Sequence, residues 1–119
     1  MLSRITMSMP WERYGIFWGL TPFEGYVMSS DLIRRHIVFY GYVQGVGFRY
    51  RAYHAAHRYG CSGWVRNNWD GSVTMEIQGE EDQIDQVILA IEGGTYIRIE
   101  NLDVKDVPVV EDEYEFRFG

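Results

Sequence analysis

A single cysteine, Cys61, leaves no partner for a disulfide within the chain, which excludes a disulfide-stapled secreted scaffold and fits a reducing cytosol. A small buried apolar residue at the start of a strand is the natural reading of that thiol. Positive charge is also scarce. Eleven Lys and Arg against 17 Asp and Glu give a formal net charge of −6, the wrong sign for a broad face that grips nucleic acid through its phosphates. Long apolar runs are missing too. The stretch from Tyr14 to Leu20 is broken by Gly15 and Gly19 and stopped by Pro22, too short to span a bilayer and without the form of a signal peptide. Neither G-x-G-x-x-G nor G-x-x-x-x-G-K-[ST] occurs, so the dinucleotide and nucleoside-triphosphate fingerprints are absent. No Ser, His and acid fall together in the motif stretches described below. His54 and His57 stand at i, i+3 without a third ligand nearby, and they point away from the apolar face of their helix. They read as a solvated helix surface rather than a metal pair.

What is present begins near Ile33. An alternating run, Ile37, Phe39, Gly41, Val43, has the period of a half-buried strand. Phe48, Ala52, Ala55 and Tyr59 then recur at the spacing of one helix face. Between them lies Gly41-Tyr42-Val43-Gln44-Gly45-Val46-Gly47-Phe48-Arg49, a strand-to-helix turn rich in glycine with an arginine at the helix start. The first N–H groups of a helix have no partner inside it and sit at the positive end of its dipole. Such a turn beside Arg49 is suited to an anion, although a tight turn carrying a surface arginine would look the same.

The remaining periodicity predicts a helix over 48–59 ended by Gly60, a strand over 63–67, and a turn at Asn68-Trp69-Asp70-Gly71. A strand over 72–78 follows, with its polar side, Ser72, Thr74, Glu76 and Gln78, turned from Val73, Met75 and Ile77. Next come a helix over 81–92 with face Ile84, Val87, Ile88, Ile91, a strand within 97–107, and a last strand over 114–118. The order β-α-β-β-α-β plus a final strand predicts an α+β class, a ferredoxin-like split βαβ sandwich with two helices on one face of an antiparallel-rich sheet.

The stretch 41–49 is followed by Gly63-Trp64-Val65-Arg66-Asn67-Asn68-Trp69-Asp70-Gly71-Ser72-Val73. Together the two resemble the acylphosphatase family, whose signatures are G-x-V-Q-G-V-G-F-R after a strand and G-W-V-R-N before a D-G-x-V turn. The resemblance runs from about Arg34 to Gly119. It departs at Gly93-Gly94-Thr95-Tyr96, where the family often carries a proline-containing segment. It implies the same fold and hydrolysis of acyl phosphates, with inorganic phosphate as product and no metal or organic cofactor. Arg49 matches the family's phosphate-binding arginine and Asn67 the asparagine that positions the attacking water. The backbone of Gln44, Gly45, Val46, Gly47 and Phe48 would surround the remaining phosphate oxygens. The expectation is a cytoplasmic monomer with a small-molecule substrate, no nucleic-acid partner and no membrane association.

Simpler roles stand beside these. Asn67 also fits a turn residue, Arg66 a solvated strand position, Trp64 a sheet-face aromatic, His36 a structural group and Glu111-Asp112-Glu113 a solvated loop. The division expected is residues 1–33 as an N-terminal extension and 34–119 as the acylphosphatase-like domain. The extension holds Trp11, Tyr14, Phe17, Trp18, Phe23 and Tyr26, too many aromatics for an ordinary disordered tail. A tail partly collapsed on itself or on the domain is favoured over a segment read from a misplaced start codon. Two other functions are open to the same pattern: a non-catalytic or carbamoyl-phosphate-handling module within a larger protein, and an RNA-binding module of similar topology. The chain's end at Gly119 disfavours the first. The acidity and Thr74 and Glu76 on the polar side of the third strand disfavour the second.

Overall fold

The computed structural model describes residues 31–119; the expectation for residues 1–30 lies outside them. The elements are β1 (Ile33–Tyr42), α1 (Phe48–Arg58), β2 (Ser62–Asn67), β3 (Val73–Gly79), α2 (Glu81–Glu92), β4 (Arg98–Val107) and β5 (Phe116–Phe118). They form one sheet of five strands in the order β4-β1-β3-β2-β5. β1 lies between β4 and β3, antiparallel to both, β2 is antiparallel to β3, and only β5 runs parallel to its neighbour β2.

Strand alternation decides which face receives the helices. Ile37 and Phe39 of β1, Val65 of β2, and Val73, Met75 and Ile77 of β3 are all fully buried on that face. Against them α1 places Phe48, Ala52, Ala55 and Ala56, and α2 places Ile84, Val87, Ile88 and Ile91. The alanines let α1 lie close to the sheet, and each large apolar side chain buried this way contributes about 1.5–3 kcal/mol. Phe48 meets Phe39 edge-on at 4.8 Å between ring centroids, which roots the start of α1 in the core.

The other face differs from the sequence expectation. Thr74 and Gln78, on the polar side of β3, are 4% and 5% exposed rather than open to water. Thr74 Oγ1 accepts from Asn68 Nδ2 at 2.7 Å, and over Gln78 the cause is the segment between β4 and β5, which crosses the sheet. Gln78 Nε2 donates to the Val110 carbonyl at 2.9 Å, and Val110 N–H donates back to Gln78 Oε1 at 2.8 Å. Arg34, 3% exposed, donates to Glu76 at 2.8 Å and to Glu113 at 2.6 Å. A charge so buried persists only with paired carboxylates. Burial opposes the charge of Arg34, yet its bonds to Glu113 and Glu76 hold its pKa above the usual value. Burial pushes Glu76 up, but hydrogen bonds from His36 and Arg34 outweigh it and leave the carboxyl below its ordinary range. Glu113 is therefore a buried-side anchor, not part of a solvated loop. The same crossing explains why β5 is shorter than the 114–118 of the alternation: residues ahead of Phe116 are spent on reaching the sheet edge. β1 also starts earlier than its pattern suggests, with Ile33 paired to Gly79.

Candidate active site

The turn between β1 and α1 is shaped by Gly45 and Gly47, whose φ angles of 74° and 84° lie in the left-handed region. A Cβ on either would meet nothing within 4 Å. The demand for glycine is thus conformational, and open space lies before the backbone. Gly47 is the N-cap of α1 and supplies no side-chain cap, and the first turn holds no acidic residue. The first helical bond joins Arg51 N–H to the Gly47 carbonyl at 3.0 Å. Among the described residues no main-chain acceptor takes the N–H groups of residues 44 to 48. Unmet donors gathered at a helix start, without an acid to satisfy them, form a positive concavity.

That concavity opens into a cleft of about 370 Å³. Gly45, Gly47, Phe48 and Arg49 line it from the turn and the first turn of α1, and Asn67 lines it from the end of β2. The structure thus brings together the two residues singled out as catalytic, 18 positions apart in sequence, because α1 returns the chain to the sheet beside β3. Neither is committed elsewhere among the described residues. Among the described residues Arg49 makes no ion pair, whereas Arg34 and Arg35 are both engaged with carboxylates. The Asn67 carboxamide has no hydrogen-bond partner there, whereas that of Asn68 donates to Ser72 Oγ at 2.9 Å and Thr74 Oγ1 at 2.7 Å. Of two adjacent asparagines, one is consumed by the fold and the other faces the cleft.

Gln44 has a role the motif did not disclose. Its side-chain Nε2 donates to the carbonyls of Asn68 and Ser72, at 2.6 and 2.8 Å. It fastens the glycine turn to the β2–β3 turn, so the element carrying Arg49 and the element carrying Asn67 are held in one frame. That second turn is itself braced, since Ser72 N–H and Oγ–H donate to Asp70 Oδ1 at 2.9 and 2.6 Å. The Ser72 hydroxyl first, then its N–H, holds the Asp70 carboxyl below the usual range. Neither Gln44 nor Val46 is among the residues lining the cleft.

Sequence reasoning missed Tyr50 and Phe118, which complete the cleft with Val43. Tyr50 directly follows Arg49, so its position was available. Phe118 arrives only through the parallel pairing of β5 with β2, which local periodicity does not reveal. Trp64 lies on the opposite face of the sheet, its ring under the Arg66 guanidinium at 5.1 Å and edge-on to His36 at 6.2 Å. The His36 Nδ1 sits 2.6 Å from Glu76 Oε2. His54 packs against Tyr50 and Tyr53, and His57 Nε2 lies 3.3 Å from the Phe116 carbonyl. Among the described residues no group of three or more His, Cys, Asp or Glu is placed to hold a metal. Cys61 is buried, and burial, reinforced by Asp82, pushes its thiol up to about 12. It is therefore inert as a nucleophile at neutral pH.

Comparison with known proteins bears on the family and the fold. The acylphosphatase family profile matches residues 35–118. An acylphosphatase of Bifidobacterium longum is 45% identical over 93 residues, covering 76% of this chain and 94% of the relative. The crystal structure of acylphosphatase from Bacillus subtilis superposes with a TM-score of 0.67 at 28% identity, covering 73% of this chain and 98% of that one. Full-length HypF in its phosphate- and nucleotide-bound form gives the same TM-score at 31% identity, but the match spans only 12% of that protein.

Proposed function

The chain belongs to the acylphosphatase family, and from that membership we propose how its cleft works. The protein is an enzyme that hydrolyses acyl phosphates to a carboxylate and inorganic phosphate. The RNA-binding and non-catalytic readings lose their ground with that membership. In our reading the phosphoryl group enters the concavity at the start of α1. The N–H groups of residues 44 to 48 meet its oxygens, and the Arg49 guanidinium forks across two of them. One such charge pair at about 4 Å and an effective dielectric near 20 is worth about 4 kcal/mol before desolvation. The Asn67 carboxamide, which donates and accepts without titrating, aims a water at phosphorus.

An acyl phosphate is a mixed anhydride whose leaving group is already a good carboxylate. The new bond joins water oxygen to phosphorus, the bond from phosphorus to the acyl oxygen breaks, and the proton of the water passes to a phosphoryl oxygen. Positioning and charge stabilisation suffice, so no basic side chain is required. We read the reaction as free of metal and organic cofactor, the substrate as the sole partner, and the chain as a monomer that binds no nucleic acid. Among the described residues no helix is long and apolar enough to cross a membrane, and the free, buried Cys61 fits a cytoplasmic setting. The single observation carrying the mechanism is that the helix start, Arg49 and Asn67 all face one cleft with their donors unspent. Hydrolysis of acetyl phosphate by the full chain, measured with and without excess chelator, tests it. Equal rates are expected; a rate abolished by chelator and restored by a divalent cation contradicts it.

A further inference from the structure

The cradle and Arg49 account for the phosphate and leave the acyl group unassigned. The rest of the cleft has a definite character. Val43 and Phe48 form an apolar floor, each no more than 2% exposed. Tyr50 and Phe118 rise at its mouth, 66% and 47% exposed. Phe118 does not stand alone. Its ring is stacked on that of Tyr53, 13° from parallel with centroids 4.8 Å apart, and Tyr53 in turn contacts His57 at 4.5 Å. Tyr50 is backed by His54, edge-on at 4.3 Å. An exposed aromatic braced from behind keeps its outer face fixed at little entropic cost on binding. Among the described residues Arg49 is the sole cation lining the cleft, and no acid lines it. Once Arg49 is engaged with phosphate, none of the described residues lining the cleft offers a charge to a charged acyl tail.

Building on the reading above, we infer that Tyr50 and Phe118 are the specificity-determining residues and select planar, uncharged acyl groups, aryl above all, over small or carboxylate-bearing ones. A substrate held by its phosphoryl group at the start of α1 extends its acyl part past Tyr50, the residue next to Arg49, toward Phe118. There a flat ring gains an aromatic contact on one or both sides, while an acetyl group gains almost none. A second carboxylate loses hydration at an apolar wall without a compensating cation.

The test is the ratio of kcat/KM for benzoyl phosphate to that for acetyl phosphate. It is measured for the full chain and for Tyr50→Ala, Tyr50→Phe and Phe118→Ala, with the inhibition constant of inorganic phosphate and the melting temperature alongside. The ratio should exceed one in the parent. It should fall roughly two- to tenfold in each alanine variant, as an aromatic contact of ordinary strength implies, mostly through KM. Tyr50→Phe should restore it, because the ring and not the hydroxyl makes the contact. The phosphate inhibition constant should move less than KM for the aryl substrate. A ratio unchanged by both alanine substitutions, with both substrates still hydrolysed, overturns the selectivity assigned to Tyr50 and Phe118 and leaves the phosphate cradle intact. Failure of the parent to hydrolyse either substrate refutes the proposed reaction, and the aromatic selectivity with it.

Discussion

The two helices of this protein begin in opposite ways. α2 starts with a closed capping box: the Glu80 side chain accepts from the backbone N–H of Gln83, and Gln83 Oε1 takes the Glu80 N–H at 2.9 Å. Glu81 and Asp82 add negative charge to its first turn. α1 starts on a left-handed glycine, with no side-chain cap and no acid. The dipole is the same in both. The difference is whether the chain answers its own donors. At α2 the amides and the field are satisfied locally, which stabilises the helix. At α1 they are left unanswered among the described residues, and Phe48 packing on Phe39 roots the helix start instead.

This contrast can be broken at several points. The largest effect belongs to Arg49→Gln, which keeps a long polar side chain and removes the fork. Turnover should fall by roughly a thousandfold or more, inhibition by inorganic phosphate should weaken, and the melting temperature should hold, since Arg49 makes no ion pair among the described residues. Asn67→Ala should lower kcat by roughly a hundred- to a thousandfold while the phosphate inhibition constant barely moves. Equal losses in both would make Asn67 a binding or structural residue. Gln44→Ala cuts the link between the two turns, and misplacement on the scale of an ångström predicts up to about a hundredfold loss of kcat/KM. There the rate should drop more than the melting temperature, and an unchanged rate would show that the turns hold their places unaided.

Gln83→Ala serves as the counterpart at α2. It should cost about 1 kcal/mol of stability, as a broken cap does, and leave turnover as it was. The smallest effect comes from acid. The folded-state pKa of Asp70 is depressed by its bonds to Ser72. Its contribution to the β2–β3 turn is therefore complete above the ordinary aspartate value and lost as the pH falls through the lowered one. Melting curves across the acid range should show a dependence that Asp70→Asn lacks.

Much of this was legible in the chain. Helix α2 runs over 81–92 as its apolar period and flanking glycines indicate. The turn 41–49 is recognisable when it is read together with the stretch 63–73; by itself it fits a tight turn with a surface arginine as well. What local pattern cannot supply is contact across the sheet. The roof over β3 depends on Val110 finding Gln78, and the burial of Arg34 on Glu113 finding it from 79 residues away. Phe118 enters the cleft by the same late arrival of β5. The two asparagines 67 and 68 are equivalent as letters. Only the geometry of Ser72 and Thr74 shows which one is spent.

The central claim is that phosphate is captured by the unmet amides at the start of α1 together with Arg49. It is tested most directly by following backbone amide resonances while the full chain is titrated with inorganic phosphate, beside Arg49→Gln. The largest shifts should fall on residues 45 to 49 and Asn67, leave the start of α2 untouched, and require far more phosphate in the variant. Shifts centred elsewhere, or an affinity indifferent to Arg49, would contradict it.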